Sequence, residues 1–157
     1  MNFFFQINIG RQNLVGTIPT EVGHLRYLSE LFVFEFILKK KMILFSCDFC
    51  SFIHFTERIN LSRNDFIGTL PTQMGRLNHL EVLFLDSNNL NGTIPSEIGK
   101  LEMLKDLRLF FNNLSGSIPS QLFDATELID LYLDRNKLTG SISTYIGQLD
   151  KLEYRKW

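Results

Sequence analysis

The sequence LEVLFLDSNNLNGTIPSEIGK, from Leu80 to Lys100, is one copy of a unit that recurs along most of the chain. One position of this unit holds an asparagine at a constant interval along the sequence, at Asn64, Asn88, Asn112 and Asn136. Alternating apolar residues precede each asparagine, and an apolar residue, a glycine and a leucine or isoleucine follow it at fixed offsets. A fixed period of about 20 to 50 residues indicates a solenoid, in which each unit folds as one coil and stacks on the next.

The same frame extends to both ends of the chain. It predicts a single repeat domain over residues 4–157, with regular units at 4–27, 56–79, 80–103, 104–127 and 128–151. A last unit barely begins at Leu152, because Arg155 and Trp157 stand at positions that are apolar in the other units. Since the chain opens and closes inside the pattern, we expect it to be a piece of a longer array.

Residues 32–55 break the pattern. Their sequence, FVFEFILKKKMILFSCDFCSFIHF, is unusually rich in phenylalanine, and it has Phe36 and Lys40 where the frame predicts asparagine and glycine. Two readings stay open. The segment is a degenerate repeat, since Leu28 and Val33 still fit the frame, or it is an irregular insert such as a translated intron. The abrupt change in composition favours the insert.

Length and composition limit the kinds of function that we expect for this chain. The 157 residues suffice for one domain, and 45% hydrophobic residues are typical of a globular chain. A net charge of −1 leaves no electrostatic footprint for nucleic acid or an anionic membrane. The chain has no uncharged apolar run of membrane-spanning length, and its start, MNFFFQINIG, lacks the regions of a secretory signal. We therefore expect neither a membrane span nor a signal peptide within this sequence.

Each part of the regular unit has a structural role. The alternation in residues 80–86 predicts a short strand with Leu83 and Leu85 inside the coil and with Phe84 and Asp86 outside. The asparagine lies where the chain turns inward, and its side chain can bond main-chain groups that would otherwise be buried without partners. We predict that the repeated asparagines form a structural ladder, with Asn64, Asn88, Asn112 and Asn136 as its members.

Glycine and proline shape the rest of the coil. The glycine after the turn allows a positive φ or a close backbone approach, and the proline after the next leucine or isoleucine fixes φ. Three departures from the unit occur: Ser143 replaces the final proline, and Phe123 and Ala125 replace a glycine and a leucine.

The unit LxxLxLxxNxLxGxIPxxIGxL resembles the plant-type leucine-rich repeat, and the likeness covers residues 4–31 and 56–153. That repeat occurs in ectodomains of receptor-like kinases, in receptor-like proteins and in polygalacturonase-inhibiting proteins. The resemblance implies an α/β-type repeat solenoid, a curved array with a parallel β-sheet on the concave face and short strands or 3₁₀ turns on the convex side. The paired-cysteine caps typical of such ectodomains are missing from this sequence.

The resemblance also implies non-catalytic recognition of a protein or peptide, in signalling or defence, outside the cell or at the plasma membrane. Two alternatives remain. The chain is an ectodomain fragment of a leucine-rich-repeat receptor-like serine/threonine kinase, or it is a gene-model fragment without independent function.

Candidate reactive residues are few. Cys47, Cys50 and His54 offer three zinc ligands where a structural site needs four, so we interpret them as incidental and expect no metal or cofactor. The chain has no nucleophile elbow and no phosphate-binding loop, so we expect no enzyme activity. Three sequons make Asn60, Asn91 and Asn113 candidate glycosylation sites, although the repeat template itself generates two of them.

Stacked coils align outward residues in columns, so residues one period apart become neighbours. Phe84, Arg108 and Tyr132 fall in one such column, and Phe110 lies beside it. Exposed aromatic residues and arginine are enriched at protein-binding hot spots. We predict a partner-binding surface that consists of Phe84, Asp86, Arg108, Phe110, Tyr132 and Asp134. The competing interpretation is that these are ordinary variable positions, with Arg108 simply stacked and paired by a nearby aspartate and with Phe111 turned inward.

Overall fold

The computed structural model describes residues 5–8, 10–11, 15–18 and 56–157. Six short strands of this part form one parallel sheet in the order β1-β3-β5-β7-β9-β11. Their bounds are β1 Phe5–Asn8, β3 Thr56–Asn60, β5 Val82–Phe84, β7 Asp106–Arg108, β9 Asp130–Tyr132 and β11 Tyr154–Lys156. Each coil contributes one strand, so the sheet runs along the stacking direction of the solenoid.

A second set of strands lies after the turn of each coil. These strands are β2 Val15–Thr17, β4 Asp65–Thr69, β6 Asn89–Asn91, β8 Ser115–Gly116 and β10 Lys137–Leu138, and they pair in parallel as β2-β4-β6 and β8-β10. Within the described ranges, 3₁₀ helices then complete the coils at Thr72–Arg76, Ser96–Lys100, Ser120–Asp124 and Thr144–Gln148. The predicted architecture, a parallel sheet with short strands and 3₁₀ turns behind it, is therefore confirmed.

The strand register repeats the sequence period. Leu83 pairs with Leu107 and Leu107 pairs with Leu131, so each partner lies exactly one repeat unit further along the chain. All three leucine side chains are completely buried, in a core that continues from coil to coil. Because no coil can bury its own apolar face alone, this stacking supplies the stability that a single unit lacks.

The asparagines form a ladder that connects successive coils. The Asn112 amide group donates to the carbonyl oxygens of Leu109 and Leu85, both at 3.0 Å, and its Oδ1 accepts from the Leu90 amide at 3.0 Å. One contact closes the turn of its own coil, and the other two reach the preceding coil. Asn88 and Asn136 make the same three kinds of bond one coil earlier and one coil later. Asn64 donates to Leu61 of its own turn at 3.0 Å.

The corners of the coils show why glycine and proline recur. Gly92 has a φ of +76°, and a Cβ at this position would lie 2.8 Å from Cγ2 of Thr69 in the preceding coil. A φ in this range favours glycine, and a side chain here would also displace that of Thr69, which confirms the expected positive φ. Pro95 precedes the 3₁₀ helix Ser96–Lys100 with a φ of −70°. Where Ser143 replaces the proline, its side chain accepts a hydrogen bond from the Tyr145 amide instead.

Phe123 and Ala125 depart from the repeat together. Both are completely buried, although Gly99 and Leu101 hold the equivalent positions one coil earlier. The ring of Phe123 adds volume to the core, while Ala125 removes the volume of a leucine. The two departures therefore offset each other within one coil.

The register also shows that the connection between the first and second described coils is unusually long. Ile7 of β1 pairs with Ile59 of β3, and Ile59 in turn pairs with Leu83, so the first connection is more than twice as long as the second. The second set of strands has the same excess, because Gly16 pairs with Phe66 whereas Gly68 pairs with Leu90. Segment 32–55 itself lies outside the described residues.

We expect that deleting residues 28–55 leaves the solenoid intact. The deletion joins Tyr27 to Thr56 and restores the interval of the regular coils, while β1 and β3 already pair directly. Shortening the connection should raise the free energy of unfolding by up to about 1 kcal/mol through a lower loop-closure cost. Urea denaturation followed by circular dichroism measures this change.

The matched control deletes 80–103, which keeps the frame but removes one regular coil. That variant should lose several kcal/mol, on the order of 3 or more, because a coil's core and ladder bonds disappear. If the two deletions destabilise the protein equally, residues 28–55 form an integral coil and the insert interpretation is wrong.

Candidate recognition surface on the six-stranded sheet

Side chains on the outward side of the six-stranded sheet form columns across the coils. Phe84 of β5 pairs with Arg108 of β7, which pairs with Tyr132 of β9. In the adjacent column, Val82 pairs with Asp106, and Asp106 with Asp130. The repeat register therefore brings together aromatic rings, a guanidinium and carboxylates that lie one or two full periods apart in sequence.

Arg108 is the centre of this surface. Its Nε donates to Asp106 Oδ1 at 3.0 Å and its Nη2 donates to Oδ2 at 2.7 Å, so the pair is bidentate. The guanidinium carbon lies 4.2 Å from the centre of the Phe84 ring and 5.5 Å from that of Tyr132. This combination of a planar ion pair and two ring contacts is specific to arginine. The side chain is still 37% exposed.

Opposing effects act on the pKa of the Asp106 carboxyl group. Burial raises its pKa above the ordinary value, and the neighbouring charge of Asp130 adds to the rise, whereas the hydrogen bonds and charge of Arg108 lower it. The hydrogen bond to Asp106 in turn raises the pKa of Arg108. The two hydrogen bonds to Asp106 fix the orientation of the Arg108 guanidinium, and in this orientation it also contacts both rings.

The aromatic contacts continue beyond Arg108. Phe110 meets Tyr132 edge to face at 6.3 Å between ring centres, and it meets Phe111 at 6.2 Å. The guanidinium of Arg135 lies 4.4 Å from the centre of the Phe111 ring, and Arg135 also pairs with Asp134 at 3.7 Å. Aromatic and cationic side chains thus form one continuous patch over three coils.

Asp86 is much less accessible than its predicted outward position suggests. The residue is only 6% exposed, and its Oδ2 accepts a hydrogen bond from Ser87 Oγ at 3.2 Å. Burial raises the pKa of the Asp86 carboxyl, and the Ser87 hydrogen bond and the charges of Arg63 and Arg108 offset the rise only in part. Asp86 therefore offers little accessible surface to a partner. Asp134, at the equivalent position two coils later, is half-buried.

Phe111 does not turn inward, because it is 48% exposed. It belongs to a row of residues whose backbone conformation the sequence did not reveal. The residue before the repeated asparagine, or before Gln12 at the equivalent position of the first unit, has a left-handed backbone with φ between 54° and 62°. These residues are Arg11, Arg63, Ser87, Phe111 and Arg135. We call this row the left-handed rim. Glycine or asparagine would have signalled it in the sequence, but neither occurs there.

The three sequons lie on different sides of the coils. Asn60 is half-buried at the end of β3 in the outward column of Phe84, and its Oδ1 accepts from the amide and hydroxyl of Ser62. Asn91 is exposed in β6, and Asn113 is half-buried before β8. A glycan on Asn91 would leave the six-stranded sheet free, whereas one on Asn60 would stand on the candidate surface.

The described part of the chain contains neither a metal site nor a membrane-spanning helix. Within it, no group of histidine, cysteine, aspartate and glutamate residues is arranged to hold a metal. Cys47, Cys50 and His54 lie outside it. None of the helices in the described ranges is long and apolar enough to cross a membrane.

Comparison with known proteins identifies leucine-rich repeats in this chain and finds similar solved structures. The family model for the leucine-rich repeat matches residues 79–101, 103–125 and 127–149. Among solved structures, a plant peptide hormone receptor, RGFR1 in complex with RGF2, is 30% identical, with a TM-score of 0.70 over 89% of this chain and 18% of the receptor. A comparison with curated proteins finds no match.

Two further receptors resemble the chain. A TDR receptor is 29% identical, with a TM-score of 0.75 over 96% of this chain and 21% of the receptor. The ectodomain of the membrane receptor kinase GASSHO1/SCHENGEN3 from Arabidopsis thaliana, in complex with CASPARIAN STRIP INTEGRITY FACTOR 2, is 28% identical, with a TM-score of 0.59 over 97% of this chain and 22% of that one. The chain therefore spans about a fifth of the length of these receptors.

The buried carboxylate of Asp86 makes a pH-dependent prediction. Because burial raises its pKa in the folded state, this group favours folding below the unfolded value of 3.8, and that contribution is lost as the pH rises through the folded pKa. Asp86→Asn should therefore be more stable than wild type at pH 7, by about 1 kcal/mol or less, and nearly equal to it at pH 3. Urea denaturation at both pH values measures the difference.

The matched control is Asp134→Asn, which removes a half-buried carboxylate at the same repeat position that pairs with Arg135, and it should not be more stable than wild type at pH 7. A loss of stability for Asp86→Asn at pH 7 would mean that the charges of Arg63 and Arg108 outweigh burial, contrary to this prediction.

Proposed function

We propose that this chain, which belongs to the leucine-rich-repeat proteins, is a non-catalytic recognition module that binds a peptide or protein on the outward side of its six-stranded sheet. The observation that carries the proposal is the position of Arg108, which lies between the rings of Phe84 and Tyr132 and pairs with Asp106. These side chains come from three successive coils and remain partly accessible.

The arrangement has the composition and the rigidity of a binding hot spot. Aromatic residues and arginine dominate hot spots because they offer large contact areas with few rotamers to lose. Here the ion pair fixes Arg108, and the edge-to-face contact with Phe110 fixes Tyr132. A partner would therefore meet a preorganised surface and would lose little conformational entropy in ordering it.

The position of Arg108 between two aromatic rings also has a purely structural explanation, in which Arg108 serves only to neutralise the charge of Asp106. Its two ring contacts and its 37% exposure favour a contact role, because neutralisation alone requires neither. Val15 and Ile67, on the second set of strands, are rival exposed apolar residues, with 64% and 49% exposure. They offer apolar surface alone, whereas Arg108 combines an ion pair with contacts to two aromatic rings.

The similar structures support recognition and suggest a setting. Two of them are receptors held in complexes with RGF2 or CASPARIAN STRIP INTEGRITY FACTOR 2, and one is the ectodomain of a membrane receptor kinase. By this likeness, the chain acts outside the cell or at the plasma membrane, in signalling. The second candidate function is that of a segment of a receptor-kinase ectodomain, in which the same surface would hold part of a longer ligand.

The test selects binders from a library of displayed random dodecapeptides on the immobilised chain and measures their affinities by fluorescence anisotropy. Arg108→Ala and Tyr132→Ala should each weaken binding by about 2 kcal/mol, roughly 30-fold, because each removes a central contact. Arg108→Lys should recover little, since lysine lacks the planar bidentate geometry.

The control is Glu97→Ala in the 3₁₀ helix on the other side of the coil, which should change the affinity less than about twofold. If the selected peptides bind all variants equally, the outward side of the sheet is not the binding surface, and Val15→Ser with Ile67→Ser becomes the next test.

A further inference from the structure

We propose that Asp130, with the rings of Tyr132 and Tyr154, forms a subsite for the guanidinium group of an arginine in the bound peptide. The inference rests on the proposed function and specifies its ligand, a peptide that carries an arginine where it crosses β9. The subsite lies on the outward side of the six-stranded sheet, one coil beyond Arg108.

The chain already holds one guanidinium on this surface. Asp106 binds Arg108 through both carboxylate oxygens, at 3.0 and 2.7 Å. The guanidinium carbon also lies 4.2 Å from the centre of the Phe84 ring. A carboxylate beside an aromatic face suits a guanidinium, because the planar donor fork matches the two oxygens and the ring attracts the cation. This arrangement is therefore an internal template for an arginine site.

The next coil has the same carboxylate but no guanidinium to pair with it. Asp130 pairs with Asp106 in the strand register. Tyr132 pairs with Arg108, so a tyrosine stands where an arginine would reach the carboxylate. Nothing in the described part of the chain donates a hydrogen bond to the half-buried Asp130 carboxylate or forms an ion pair with it. Lys156 pairs with Tyr132 from the following coil, but its side chain is exposed and does not reach Asp130.

Two aromatic rings stand beside this carboxylate. Tyr154 pairs with Asp130 in the register and is 59% exposed, while Tyr132 follows Asp130 two residues along the same strand. Alternation along the strands places all three side chains on the outward side of the sheet. A guanidinium that binds Asp130 would therefore lie close to tyrosine rings, as the guanidinium of Arg108 lies close to Phe84 and Tyr132.

The local charge also favours a cation. Asp106 and Asp130 lie on adjacent strands about 4.8 Å apart, and the single charge of Arg108 balances only one of them. The charge of Asp130 adds to the burial that raises the pKa of Asp106, and partial burial together with the same charge raises the pKa of Tyr132. A second guanidinium would remove this repulsion between the two carboxylates.

The subsite should prefer arginine to lysine. The guanidinium offers parallel donors to the two free oxygens of Asp130 and a flat face to the tyrosine rings, and it is more weakly hydrated than an ammonium. Lysine brings the same charge as a compact, strongly hydrated point. The charge of the ligand therefore provides part of the affinity, and its planar shape provides the selectivity.

Fluorescence anisotropy with defined hexapeptides tests the subsite. The capped probes share two phenylalanines and differ at one position, which carries arginine, lysine or citrulline, the uncharged isostere of arginine. The wild-type chain should bind the arginine probe at least about fivefold more tightly than the citrulline probe, and added salt should reduce this preference. It should bind the arginine probe about two- to threefold more tightly than the lysine probe.

Asp130→Asn should abolish the preference for arginine over citrulline while leaving the affinity for the citrulline probe unchanged within about twofold. Tyr154→Leu, which keeps an apolar side chain but removes the ring, should reduce the preference by about twofold. The matched control Asp124→Asn makes the same charge change on an exposed residue of the 3₁₀ helix Ser120–Asp124 and should retain the full preference. Thermal melts followed by circular dichroism confirm that each variant is folded.

The outcomes separate this inference from the proposed function. If Asp130→Asn keeps the preference for arginine, the subsite is refuted, although Arg108→Ala can still weaken the citrulline probe and uphold the proposed function. If Asp130→Asn loses the preference but Arg108→Ala binds the citrulline probe as wild type does, the subsite stands and the role proposed for Arg108 fails. Equal binding of the arginine and lysine probes would refute the selectivity for a guanidinium. If no probe binds the wild-type chain, the peptide ligand specified here is refuted.

Discussion

The hydrogen bonds of the repeated asparagine hold each coil in register with the one before it. The Asn88 amide group bonds the carbonyl oxygens of Leu85 in its own turn and of Leu61 in the preceding coil, both at 3.1 Å. Its Oδ1 accepts from the Phe66 amide at 3.0 Å, again across the boundary between coils. These polar groups are buried, so leaving any of them unpaired would cost about 1–3 kcal/mol. The ladder thus fixes both the inward turn and the spacing of the stack.

The candidate surface depends on that register. Phe84, Arg108 and Tyr132 are distant in sequence and meet only because their coils stack without slippage. The ion pair with Asp106, which lies in the adjacent column, fixes the orientation of the Arg108 guanidinium. The rings of Phe84 and Tyr132 contact the guanidinium from the neighbouring coils. The geometry of the candidate surface therefore follows from the same parallel pairing that gives stability. A substitution in the ladder should disturb the surface without touching it.

The constant interval between the asparagines made the fold and the outward columns predictable, because every coil repeats one local solution. Features that depend on neighbouring coils were not predictable in this way. Alternation along a strand predicts that Asp86 lies on the outward side, yet the residue is almost completely buried. The left-handed rim carried no signal, since Arg63 and Phe111 have no preference for that conformation. The choice of Asp106 as the partner of Arg108 depended on rotamers, which the pattern does not specify.

Native-state hydrogen exchange of the Leu90 amide in Asn112→Ala tests the ladder most directly. This amide donates to Oδ1 of Asn112 at 3.0 Å, whereas the Leu114 amide donates to Asn136 at the same distance. The loss of one buried acceptor, worth about 1–3 kcal/mol, should speed exchange at Leu90 by roughly 10- to 100-fold beyond any change at Leu114. Equal exchange rates at Leu90 in the variant and the wild type would contradict the claim that the asparagines hold the coils in register.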